Sequence, residues 1–158
     1  MLIMSPKKKA RLFLQKYWGG TLPVDPIRIA RGAGVEVRHW TKPNPLSGLF
    51  EYRDETPVIV YNKSDPEVRQ RFTIAHELGH FALEHGKAFR DPARNFSLSN
   101  YDPEEVSANQ FAAELLMPAE AVDALIAEQG ITDFSKLARK FHVSEVAMEY
   151  RLKNLGWL

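Results

Sequence analysis

The chain contains no cysteine. That excludes disulfides, zinc–thiolate clusters and a thiol nucleophile, and leaves histidine and carboxylate as the metal ligands on offer. It also lacks an excess of either charge: 21 basic residues face 20 acidic ones. Such a balance gives no general electrostatic footprint for nucleic acid or for an acidic membrane surface. No apolar run approaches the roughly 20 residues of a membrane span. The chain starts Met1-Leu2-Ile3-Met4, followed by Ser5, Pro6 and three lysines. A secretory leader has its charges first and a longer apolar segment after them, so a cytoplasmic protein is expected. The length of 158 residues suits one domain, or one domain with a small appendage.

What is present centres on His76-Glu77-Leu78-Gly79-His80, an H-E-x-x-H motif. Histidines four apart on a helix project from one face, so both imidazoles can reach one metal ion. The adjacent Glu77 stands at the edge of that face, where it can take a proton from a water the metal has acidified. Neutral imidazole suits zinc, which lowers the pKa of bound water towards neutrality. The motif alone is short enough to arise by chance on a solvated helix. Its flanks argue otherwise: Phe72, Ile74, Ala75, Leu78, Phe81, Ala82 and Leu83 mark a buried helix, where two histidines and a glutamate would be costly without a partner.

Around the motif the sequence predicts an α+β fold. A helix over residues 5–18 is capped by Ser5 and Pro6 and ended by Gly19-Gly20. A short helix from Asp25-Pro26 precedes three strands, near 35–40, 46–52 and 58–61, the second carrying Gly48 as a bulge or close-approach point. Short connections suggest a small three-stranded sheet, antiparallel throughout. Its second strand offers an edge to which an extended substrate can add. Ser64 with Glu67, or Asp65 with Pro66, caps the motif helix, which runs to about residue 85. His39 reads as an exposed strand residue. His85 is out of register for a third histidine ligand and reads as a helix-end residue favoured by the dipole. Residues 86–101 show no periodicity and read as a mobile flap beside the metal; Tyr101 at its end is a candidate to polarise a substrate carbonyl.

A catalytic zinc commonly takes three protein ligands and a water. The third is expected on the following helix, from Asp102-Pro103 to Met117-Pro118, where Glu104, Glu105 and Glu114 are candidates. Asn109, one turn after Glu105, can hydrogen-bond a metal-bound histidine. Beyond it lie three more helices. Leu137 to Ser144 has the pattern of a helix-turn-helix, with His142 at the left-handed position that Gly usually takes. Glu145, Ala147, Met148 and Glu149 are poor base readers, although Arg139, Lys140, Arg151 and Lys153 stand where a phosphate backbone is contacted. Direct nucleic-acid binding is therefore not expected. The division predicted is 1–130 as a peptidase-like domain and 131–158 as a helical tail packed on it.

Two blocks carry a family resemblance: Arg71-Phe72-Thr73-Ile74-Ala75-His76-Glu77-Leu78-Gly79-His80, and Glu105-x-x-Ala108-Asn109-x-Phe111-Ala112-Ala113-x-Leu115-Leu116-Met117-Pro118. In this order and spacing the chain resembles the ImmA/IrrE family of zinc metallopeptidases. The resemblance implies a minimal thermolysin-like core, zinc held by His76, His80 and Glu105, and Glu77 as general base. It favours Glu105 over Glu104 and Glu114. It also implies a protein substrate, a helix-turn-helix transcriptional repressor, and no membrane partner. No counterpart of the additional C-terminal domain of the larger radiation-response members is read in these 158 residues, so the resemblance is expected to be nearer to the compact type encoded on mobile elements. Two other classes stay open: a transcription regulator that keeps the peptidase shape without using it, and an interaction or toxin-like module whose metal is structural.

Overall fold

The computed structural model describes residues 4–86, 88–96 and 102–158. Helix α1 (Pro6–Tyr17) starts where Ser5 accepts a hydrogen bond from the Lys8 amide, with proline in its first turn. Helix α2 (Pro26–Gly32) is capped in the same way by Asp25. Strands β1 (Glu36–His39), β2 (Gly48–Arg53) and β3 (Thr56–Tyr61) follow, then the motif helix α3 (Glu67–Ala82). A fourth strand, β4 (Ala88–Asp91), and a 3-10 turn at Ala93–Phe96 lie between α3 and α4 (Pro103–Leu116). The chain ends in α5 (Ala119–Ala127), α6 (Phe134–Phe141) and α7 (Glu145–Asn154).

The α+β class is as expected, but the sheet corrects the expectation of three antiparallel strands. It has four strands in the order β1-β3-β2-β4. β2 pairs antiparallel with both β3 and β4, while β1 pairs parallel with β3, from Glu36 opposite Val58 to His39 opposite Tyr61. The parallel pair arises because the connection from β1 to β2 does not close a hairpin. It passes over the end of β3, where the Asn62 side-chain amide donates to the Asn44 and Leu46 carbonyls and its backbone amide to Ser47. Two strand spacings of about 4.8 Å are easily bridged by such a segment.

The second correction concerns residues 86–101. Residues 88–91 are not loop but the sheet's edge strand, in register with Gly48 to Glu51 of β2. Four residues whose two apolar side chains, Ala88 and Phe89, are adjacent give no alternation to read. Residues 97–101, with Tyr101, lie outside the described residues. The capping box at Ser64 is not formed either, since α3 starts without a side-chain cap.

Helix α3 is the axis of the core. Every residue from Thr73 to His80 is buried, as befits a helix covered on all sides. One side lies on the sheet. There Gly48 permits the approach, because a Cβ at that position would fall 2.3 Å from Thr73 Cγ2 and 3.0 Å from Glu77 Oε2. Gly48→Ala is therefore expected to cost about 1–3 kcal/mol, the usual penalty for overpacking, measurable by chemical denaturation. On the other side α4 crosses at Gly79, whose missing Cβ would lie 3.1 Å from the Ala108 Cα.

The C-terminal helices add Leu137, Phe141, Met148 and Leu152 to the same apolar cluster as Phe50, Leu78 and Phe111. Arg71 of α3 donates to the Val24 and His142 carbonyls. Arg151 of α7, read from sequence as a phosphate contact, is instead 3% exposed and bonded to Glu114 and to the Met117 carbonyl. His142 does adopt the left-handed conformation at the end of α6, with φ 53°. Among the described residues no helix is long and apolar enough to cross a membrane.

Candidate metal centre

The i, i+4 spacing on α3 puts His76 and His80 side by side, their Nε2 atoms 3.2 Å apart. The close crossing of α4 at Ala108 brings Glu105, one turn earlier, over both rings. Its Oε2 lies 2.8 Å from His76 Nε2 and its Oε1 3.2 Å from His80 Nε2. The other two glutamates go elsewhere. Glu104 is exposed, and Glu114, though buried, accepts from Arg11, Arg151 and the Ala119 amide.

A fourth group, absent from the sequence reading, completes the cluster. Asp91, the last residue of β4, directs Oδ2 to 3.5 Å from both histidine Nε2 atoms. Together His76, His80, Asp91 and Glu105 place one ligand atom each within 4.8 Å of one another, and all four residues are buried. A strand aspartate carries no local signature; only the pairing of β4 with β2 delivers it.

The outer nitrogens of the histidines are engaged. His76 Nδ1–H donates to Asn109 Oδ1 at 2.7 Å when Nε2 faces the cluster unprotonated. Asn109 in turn donates to the Asn95 carbonyl, and Asn95 Nδ2 donates to Asp91 Oδ1. A chain of hydrogen bonds thus joins His76 to Asp91. His85, read from sequence as a helix-end residue, lies against His80 instead, with the two Nδ1 atoms 3.0 Å apart. Its reach follows from the left-handed turn at Glu84, which a spacing argument along the helix does not see. His39 is exposed on β1, as expected.

The electrostatics show what the cluster lacks. Burial opposes a charge on His76, yet Asp91 and Glu105 prevail and raise it above its ordinary value. Burial likewise opposes ionisation of Asp91, but His76, His80 and Glu77 hold its carboxyl far below the usual range. Glu77, fully buried, is pushed well above its ordinary value by burial and then by Asp91 and Glu105. Both Glu77 oxygens and Asp91 Oδ2 have no hydrogen-bond partner among the described residues. Buried polar atoms left this way cost free energy. A divalent cation among the four donors would partner Asp91 Oδ2 and offset the clustered carboxylate charge, so the residues fit a divalent metal ion. Asn109→Ala is expected to weaken metal binding about 10–100-fold, the usual effect of losing a ligand's outer hydrogen bond, as read by chelator competition.

A cleft of about 590 Å³ borders this centre, lined by Phe72, Phe96 and Asn109 on one side and by Val146, Ala147 and Tyr150 of α7 on the other.

Residues 30–153 match the peptidase M78 family, an IrrE N-terminal-like domain. The chain is 30% identical over 111 residues to the uncharacterized immunity region protein 2 of Bacillus phage phi105, covering 70% of this chain and 67% of that protein. It is 35% identical over 105 residues to the radiation response metalloprotease IrrE of Deinococcus deserti, covering 64% of this chain and 37% of that one. With the metallopeptidase ImmA of Bacillus subtilis it shares 30% identity over 111 residues, covering 70% and 64%. The alignments thus span 67% at most of these relatives' own lengths. A solved Mycobacterium tuberculosis transcriptional regulator superposes with a TM-score of 0.58 over 93% of this chain and 46% of that one. At 18% identity that is a likeness of fold alone.

Proposed function

This chain belongs to the ImmA/IrrE family of metallopeptidases, and on that premise we propose that it is a zinc-dependent endopeptidase acting on a protein substrate. The observation that carries the reading is Glu77. It is fully buried on the H-E-x-x-H helix, with both oxygens unpartnered among the described residues. A purely structural metal has no use for such a group, whereas hydrolysis requires one.

In the proposed mechanism His76, His80 and Glu105 hold the metal. When bound, zinc polarises the peptide carbonyl and acidifies the attacking water. Glu77 takes the proton from that water and passes it to the leaving amine nitrogen. Its position one residue after His76, buried on the same helix, puts it beside that water. Asn109 and His85 keep the two imidazoles in the tautomer that turns Nε2 inward. The walls formed by Phe72, Phe89 and Phe96 limit competing solvent; Phe89 stacks on His80 at 3.8 Å.

The substrate we propose is a helix-turn-helix repressor. The support is the immunity-region name of the phage relative together with the family. The division into a peptidase-like domain over 1–130 and a tail over 131–158 belongs to the same proposal, the tail serving as one wall of the cleft beside the site. One observation favours a second reading, a metal that is structural: Asp91 supplies a fourth protein group, and structural sites are closed by four. Co-expression with a candidate helix-turn-helix repressor separates the two. Fragments whose masses sum to the intact repressor plus one water, present with wild type and absent with Glu77→Gln, support the peptidase. An intact repressor in both cultures speaks for the structural metal.

A further inference from the structure

Three of the four groups at the centre stand on helices locked together at Gly79 and Ala108. The fourth does not. Asp91 is carried by a four-residue edge strand whose Ala88 and Arg90 are exposed. Short edge strands are the low-stability part of a sheet, the part that opens locally at least cost.

The position that Asp91 takes is specific. The Nε2 atoms of His76 and His80 lie 3.2 Å apart, Glu105 Oε2 and Oε1 lie 2.8 and 3.2 Å from them, and Asp91 Oδ2 lies 3.5 Å from each. Ligands about 2.0–2.1 Å from one zinc ion stand roughly this far apart. A hydrolytic site keeps one corner for water and substrate. Asp91 Oδ2 is the fourth group of the cluster, 1% exposed and without a hydrogen bond among the described residues, while Oδ1 is held by Asn95 at 2.8 Å.

The same strand covers the second thing a substrate needs. An extended peptide adds to a free sheet edge, and the edge of β2 expected to receive it is taken by β4, with Asp91 opposite Gly48. Resting on the metallopeptidase reading, we propose that β4 is an internal plug: Asp91 takes the metal's fourth position and the β4 backbone takes the substrate's place along β2. The two blocks are released together, because Asp91 ends the strand that must leave. The substrate's own extended segment is the displacing strand.

The test uses the full chain loaded with cobalt, whose visible spectrum reports coordination, and acetohydroxamate as a small probe of the fourth position. A site that is open a tenth of the time or less binds such a probe at least about tenfold more weakly than an open one. Asp91→Ala is therefore expected to change the spectrum and to tighten acetohydroxamate binding by at least about tenfold. Asn95→Ala, which removes only the clamp on Asp91 Oδ1, is expected to move both in the same direction by less; it carries the test alone where Asp91→Ala does not fold. One spectrum and one affinity shared by wild type and the variants would overturn the plug, with the metal reading intact. So would loss of stoichiometric cobalt in Asp91→Ala, which would make Asp91 a permanent ligand. A wild type that takes up no cobalt is a different result, and removes the metallopeptidase reading with the plug.

Discussion

Glu77→Gln is expected to abolish measurable peptide hydrolysis while leaving metal uptake unchanged. Loss of a positioned general base typically costs about 10²–10⁴ in rate. Gln matches Glu in shape, so the close approach of Gly48 to this side chain is preserved. The same substitution has a consequence for stability that a purely kinetic role would not produce. In the metal-free protein Glu77 holds its proton more tightly than an ordinary carboxyl, because it is buried and then because Asp91 and Glu105 lie beside it. A group whose folded-state value is raised supports the fold fully below its unfolded value, and that support is lost as pH rises through the folded value. Metal-free Glu77→Gln is thus expected to be more stable than metal-free wild type at neutral pH. The gain should be about 1–3 kcal/mol, the cost of a buried polar group left unsatisfied. The gap should close as the pH falls into the ordinary carboxylate range. Urea unfolding of both proteins across pH checks it; a gap that widens towards acid would contradict the burial of an ionisable Glu77.

Removing the metal is expected to have the larger effect on the fold. His76, His80, Asp91 and Glu105 belong to a sheet strand and two helices, so a cation among them ties those elements together. With free metal at about a thousand times its dissociation constant, binding stabilises by about 4 kcal/mol. For a chain of this size that corresponds to roughly 8–16 °C in the unfolding midpoint. A chelator should bring the midpoint down by that amount, and added zinc should restore it. Glu105→Ala should reduce the zinc-dependent rise, leaving two imidazoles and an aspartate on an edge strand. Glu104→Ala, an exposed neighbour, should keep it. Equal zinc response in both variants would remove Glu105 from the site.

Much of this centre could be read before any coordinates. The spacing of His76 and His80 places their rings on one face because helix geometry is local, and Asn109 follows Glu105 by one turn for the same reason. The α+β class and the helix starts at Ser5, Asp25 and Asp102 are equally local, since a cap is decided within three residues. The choice of Glu105 from its neighbours was open on the residues and narrowed by family resemblance. The fold shows why the others are spent: Glu114 is bound by two arginines and Glu104 faces solvent.

Local rules failed where distant segments meet. Strand order depended on how residues 40–47 cross the end of β3, held by Asn62; nothing in the strands themselves states whether β1 runs with or against its neighbour. Asp91 was invisible because its role exists only once Ala88–Asp91 pairs with Gly48 to Glu51. Register on an ideal helix keeps His85 away from the site, whereas the left-handed turn at Glu84 carries it back to His80. Residue spacing along one helix settled which imidazoles share a face. Which carboxylates lie beside them is decided by packing between elements, because those contacts join residues 15 to 29 positions apart in the chain.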